Sequence, residues 1–139
     1  ATAVAKEMGL NLTESTINAA TEFAELIVVE LVKGGERFRL AGTIIGKSAR
    51  IVEIDKLFVD TNISGNFLIV RNDDSPGIVG HVGTVLGKHQ LNIANLSLAR
   101  NKSEGNALNV IELDTTPSAE VIDEIAAFKG VITVTAIEI

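Results

Sequence analysis

The stretch Asn66-Phe-Leu-Ile-Val-Arg-Asn72-Asp-Asp-Ser75-Pro-Gly77-Ile-Val-Gly80-His-Val-Gly83-Thr-Val-Leu-Gly87-Lys-His89 decides how the chain folds. Phe67 to Val70 are apolar without interruption, the pattern of a strand buried on both faces. Asp73 and Asp74 then turn the chain, and Ser75-Pro76 carries a helix start. Serine caps open helix ends, and proline suits the first helical position because its missing N–H would be unpaired there anyway. Ile78, Val82, Val85 and Leu86 recur at helical spacing, and His89 closes the helix near its negative end.

Working outward toward the C-terminus, residues 91–100 predict a strand with Ala94, Leu96 and Leu98 on one face. Residues 101–105 are turn-rich, and 107–114 form the next strand. A second helix opens at Thr116-Pro117, carries Val121, Ile125 and Phe128 on one stripe, and ends at Gly130. Residues 131–139 are the last strand. That order, β-α-β-β-α-β, is the ferredoxin-like arrangement. Both helices cross to one face of a four-stranded antiparallel sheet. The other face needs cover from a neighbouring domain or a second copy of the chain.

Toward the N-terminus, residues 3–8 favour a helix that stops at Gly9. Residues 23–32 and 36–45 are apolar runs around Lys33-Gly34-Gly35, a hairpin signal. A short strand follows at 50–54 and a turn at 62–65. The fold class is therefore α+β. Residues 1–64 form a small helix-plus-strands partial domain, and residues 65–139 the ferredoxin-like one.

Composition narrows the function. The chain has 139 residues and a formal charge of −6, with no Trp or Tyr. It has neither the basic surface nor the stacking rings of a nucleic-acid binder. Cysteine is absent, which removes disulfides, thiolate nucleophiles and Cys-based metal centres and suits a reducing, cytoplasmic compartment. No apolar run reaches the ~18 residues of a membrane span, so no membrane partner is expected. The first residues do not read as a signal peptide, and with no initiator Met the chain reads as a fragment of something longer.

No catalytic constellation emerges. The glycines from Gly77 to Gly87 are not spaced as a dinucleotide fingerprint, and Val82 and His89 stand where a P-loop needs Gly and Ser or Thr. His81 and His89 lack the partner that would make a zinc site and are expected at the surface. Asp73 and Asp74 have no nucleophile beside them. No metal and no cofactor are expected in this chain.

Gly80, Gly83 and Gly87 share one helix face, within roughly 60° at 100° per residue. Each costs a helix about 1 kcal/mol relative to alanine. They imply either tight helix–sheet packing or close approach by another backbone or a ligand. The loop before them offers a site for a small zwitterion. The helix tip presents unpaired N–H groups to a carboxylate, and Asp74 can pair with an ammonium. Asn72 and Asn92 are further polar candidates, although Asp and Asn are also ordinary turn residues.

The runs Asn72-Asp-Asp-Ser-Pro-Gly-Ile-Val-Gly-His-Val-Gly-Thr-Val-Leu-Gly, Leu91-Asn-Ile-Ala-Asn and Gly105-Asn-Ala-Leu-Asn-Val-Ile-Glu-Leu-Asp closely resemble an ACT domain. The nearest kind is that at the C-terminus of the D-3-phosphoglycerate dehydrogenase family. Ala3-Val-Ala-Lys-Glu-Met-Gly-Leu, Leu40-Ala-Gly-Thr-Ile-Ile-Gly and Ala49-Arg-Ile-Val-Glu-Ile-Asp resemble part of that family's intervening domain.

The resemblance implies a regulatory module in which L-serine, the end product, binds between two ACT domains of a homo-oligomer and inhibits the enzyme. It implies that Asp74 takes the ligand's ammonium, that Asn92 reaches the ligand from the neighbouring subunit, and that Asn72 lines the pocket. Gly77, Ile78 and Val79 would offer backbone N–H groups. Arg50 matches a position of an anion site in the intervening domain, while Asn62 stands where a second basic residue is expected. Asn109 is polar where the family usually has an apolar residue. The NAD-dependent chemistry belongs to regions absent from this chain. Two alternatives stand beside this reading: the β portion of an iron–sulfur L-serine dehydratase, and a purely structural dimerisation module.

Overall fold

The structure, a computed structural model, describes Glu7, Gly9, Asn11, Thr13, Ser15, Phe23 and residues 25–139. The helix expected at 3–8 falls, apart from Glu7, outside the described residues. Four antiparallel strands come first, β1 (Ile27–Lys33), β2 (Glu36–Ile45), β3 (Ser48–Ile54) and β4 (Leu57–Asn62), in the order β1-β2-β3-β4. Gly34 and Gly35, with φ of 59° and 91°, form the two-residue turn that sets Lys33 opposite Glu36. Two positive φ values give that turn the twist of the strands it joins. Every residue of β1 is exposed, and its outer edge carries no ladder partner among the described residues.

Strand β4 is absent from the sequence reading. It is reached through Asp55 and Lys56, both at positive φ (49° and 67°), where glycine or asparagine would have announced the turn. Tertiary bonds hold Asp55 there instead. Its Oδ1 accepts the Arg39 backbone N–H at 2.9 Å, its own N–H donates to the Arg39 carbonyl at 2.8 Å, and Arg71 pairs with its other oxygen.

The second half runs β5 (Asn66–Asp73), α1 (Ile78–Lys88), β6 (Ile93–Asn101), β7 (Asn106–Leu113), α2 (Ala119–Ala126) and β8 (Val131–Glu138). Its sheet is ordered β6-β7-β5-β8 and antiparallel throughout, a ferredoxin-like βαββαβ fold. Helix α1 begins later than Ser75-Pro76 suggests. Those residues lie in a turn, Gly77 at φ 98° is the N-cap, and no side chain caps the helix. The left-handed glycine redirects the chain so that Ile78 enters the core. Helix α2 likewise begins past Pro117, with Ser118 as N-cap, and ends at Ala126 rather than Gly130.

Leu68, Val70, Ile111 and Leu113 of the sheet pack under Ile78, Val82, Val85 and Leu86 of α1 and Val121 and Ile125 of α2. The opposite sheet face is covered by the first sheet of the same chain: Phe67, Ala99, Leu108 and Val110 meet Ile54 and Val59. This is the face that needed cover. A bulge between Ile93 and Asn95 places Asn95, Ser97 and Ala99 toward that interface. Leu96 and Leu98 share one face, as the alternation predicts, and point to the helix side, 38% and 45% exposed.

A buried carboxylate sits between the sheets. Glu112 on β7 is buried and accepts from the Thr61 hydroxyl (2.6 Å), the Asn62 N–H (2.9 Å), Asn62 Nδ2 (2.7 Å) and Asn95 Nδ2 (3.2 Å). Burial acts to raise this carboxyl, but the donors from Thr61, Asn62 and Asn95 outweigh it and hold it below its ordinary value of 4.5. A carboxyl depressed in the folded state stabilises fully above its unfolded value, and that stability fades as pH falls through the lower folded one. Glu112→Ala should cost about 3 kcal/mol in urea unfolding at pH 7, because it leaves several buried donors unpaired. In the native chain, stability should drop as pH is lowered below 4.5, more steeply than in Glu112→Gln.

Candidate functional site: the loop between β5 and α1

Three backbone bonds fix the loop at residues 73–77. Asp73 N–H donates to the Gly130 carbonyl at 2.7 Å, Asp74 N–H to Gly105 at 2.9 Å, and Ser75 N–H to Asp73 at 2.8 Å. The loop is thus pinned by the start of β8 and by the β6–β7 hairpin. Gly130 (φ 94°) needs its bare Cα, since a Cβ there would come 3.2 Å from Ile78 Cδ1.

Beneath the loop lies a buried amide pair. Asn72 donates from Nδ2 to the Asp73 carbonyl at 2.6 Å, and its Oδ1 accepts from Asn109 Nδ2 at 2.7 Å. Asn109 is 1% exposed, and its Oδ1 has no partner. Asn109, whose polarity the sequence could not explain, therefore orients Asn72, and Asn72 props the loop from below.

At the helix tip, the first helical bond is His81 N–H to the Gly77 carbonyl at 2.9 Å. Among the described residues, the amides of Ile78, Val79 and Gly80 have no hydrogen-bond partner. These amides carry the positive end of the helix dipole and suit an anion. Asp74 stands beside them, with its side chain 18% exposed. Its carboxylate is engaged: Arg100 Nε donates to Oδ1 at 2.8 Å and to Oδ2 at 2.9 Å. The hydrogen bond to Asp74, reinforced by its charge, raises the Arg100 guanidinium further above its ordinary value, so it stays protonated.

Sequence reasoning missed Arg100. It sits on β6 opposite Ala107, and only strand register carries it to the loop.

Asn72, Asp74, Gly77, Ile78 and Val79 thus gather at one end of the sheet. Asn92 does not join them within one chain. It precedes β6 at the far end, where its Nδ2 donates to Asp114 at 2.9 Å. Arg50 lies in the first sheet, its Nε 2.7 Å from Asp60 and its Nη1 2.6 Å from the Asn62 oxygen. Asn62, in turn, donates to Glu112, so it links Arg50 to the inter-sheet carboxylate. Arg50 borders an apolar groove of about 400 Å³ lined by Ile27, Val29, Leu40, Ile44 and Ile63.

The three helix glycines face outward. Ile78, Val82, Val85 and Leu86 form the buried stripe of α1, and at 100° per residue the glycines lie roughly opposite it. A Cβ at Gly80, Gly83 or Gly87 would meet nothing within 4 Å. Helix–sheet packing within the chain therefore does not account for them. The histidines are less exposed than expected. His81 stacks on Phe128 with ring centroids 4.0 Å apart, and His89 contacts Glu124 at 2.8 Å. Glu124 also accepts from Lys88 at 2.8 Å; these two bonds, Lys88 first, hold its carboxyl below the usual value and tie α1 to α2. Among the described residues, no group of side chains could hold a metal ion, and no helix is long and apolar enough to cross a membrane.

The second half of the chain has the ferredoxin-like βαββαβ fold, with an open helix tip beside a carboxylate. No family model matches the chain. It is 33% identical over 138 residues to D-3-phosphoglycerate dehydrogenase of Archaeoglobus fulgidus, a match covering 98% of this chain and 26% of that protein. The Bacillus subtilis enzyme of the same name is 26% identical over 98% of the chain, and that of Methanocaldococcus jannaschii 27% over 92%. The chain is homologous over nearly its whole length to one region of the D-3-phosphoglycerate dehydrogenases, and spans about a quarter of the length of these relatives.

Because nothing among the described residues crowds the outward glycines, Gly83→Ala should raise the stability of the dilute chain by up to about 1 kcal/mol. Urea unfolding at low protein concentration measures this.

Proposed function

We propose that this chain is the regulatory, amino-acid-binding segment of a D-3-phosphoglycerate dehydrogenase. It binds L-serine where two ACT-type domains meet and transmits feedback inhibition to a cytoplasmic, NAD-dependent enzyme. The observation that carries the reading is the pairing of a partly sheltered carboxylate, Asp74, with the unbonded amides of α1. A free amino acid has the two opposite charges such a site takes.

Two features support an interface between copies. The glycine face of α1 has open space beyond it, so another backbone can approach closely. Leu96 and Leu98 on the edge strand β6 are exposed beside the helix layer. Asn92, remote from Asp74 in its own chain, would then act across the interface on a neighbour's ligand. The relatives' name favours the dehydrogenase over the dehydratase alternative.

Calorimetric titration with L-serine tests the proposal. The native chain should release or absorb heat, and at 100 times the dissociation constant it should gain about 2.7 kcal/mol of stability. Asp74→Ala should lose this binding while remaining folded and associated. A folded native chain giving no heat with any amino acid would mark a dimerisation module without an effector. Gly80→Val should weaken association at unchanged monomer fold, read by sedimentation.

A further inference from the structure

We infer that Arg100 completes the ligand grip, holding the effector's carboxylate together with the α1 amides while Asp74 takes its ammonium. This rests on the amino-acid-binding reading above and adds to it a residue and a selection rule. Arg100 spends only Nε on Asp74; its two terminal nitrogens have no partner among the described residues. The side chain is 54% exposed, so those donors face solvent beside the loop.

The loop itself is acidic, with Asp73 next to Asp74, and a bare carboxylate approaching the helix tip meets that negative charge. Arg100 is the cation in contact with it. In the chain without ligand, Arg100 and Asp74 satisfy each other. A zwitterion inserted between them keeps both satisfied: carboxylate of Asp74, ammonium, ligand carboxylate and guanidinium alternate in sign. A ligand with an ammonium alone must evict Arg100 and leave it unpaired. The site therefore selects molecules that carry both charges on neighbouring atoms, and rejects simple amines. Guanidinium geometry favours this role, because its planar fork holds a carboxylate through two parallel N–H groups.

The test compares L-serine with ethanolamine, which lacks the carboxylate, on the full chain and on Arg100→Ala and Arg100→Lys, with thermal melting as the folding control. Arg100→Ala should bind L-serine tenfold or more weakly yet bind ethanolamine more tightly than the native chain, since Asp74 is then free. Arg100→Lys should fall between, keeping the charge without the fork. A merely structural role would lower both ligands together and overturn the inference. L-serine binding unchanged or tightened in Arg100→Ala would also overturn it, making Arg100 a plug, while leaving the proposed function intact. If the folded native chain binds no amino acid, both fall.

Discussion

The carboxylate of Glu112 is the constraint on which the two-sheet arrangement turns. It sits on β7, a strand with neighbours on both sides and layers on both faces, and it collects donors from β4 and β6 at once. An ionised group in such a place is tolerable only when its oxygens are bonded. The bonds also specify register, because a one-residue slip of β7 would turn Glu112 toward the helices and Ile111 toward the first sheet. The same strand carries Asn109 on its other face, under Asn72. One strand therefore fixes both the sheet interface and the floor of the candidate site.

The site is built on backbone rather than on long side chains. The loop after β5 is tied to two other chain segments, and its single glycine at φ 98° aims the helix so that its first amides lie next to Asp74. The long side chain that reaches it is Arg100, delivered by the β6–β7 hairpin. Backbone sets the helix tip, and Asp74 sets the half-exposed guanidinium beside it.

The βαββαβ order was legible because apolar period changes cleanly from strand to helix and back between residues 66 and 139. The loop before α1 was legible because Asp74 and Pro76-Gly77 are local signals at a helix start. What escaped were features set by contact. Strand β4 follows Asp55-Lys56, whose left-handed conformations are held by Arg39 and Arg71 and not by residue type. The bulge at Ile93/Asn95 sets which face of β6 meets the first sheet, and one extra residue is invisible to a period-two reading. Arg100 and Asn109 gained meaning only once register set them beside Asp74 and Asn72. The Ser75-Pro76 helix start failed by two residues because Gly77 supplied a backbone turn that neither side chain could.

The bare edge of β1 has a practical corollary. Alternate residues of Ile27–Lys33 turn amides and carbonyls outward, without a ladder partner among the described residues, in a row that is mostly branched aliphatic. Such an edge templates further strands, and only Glu30 and Lys33 interrupt it with charge. Left without a partner, such an edge favours edge-to-edge association of copies at high concentration. A lysine or proline placed mid-strand there would lengthen its shelf life without touching the far end of the molecule.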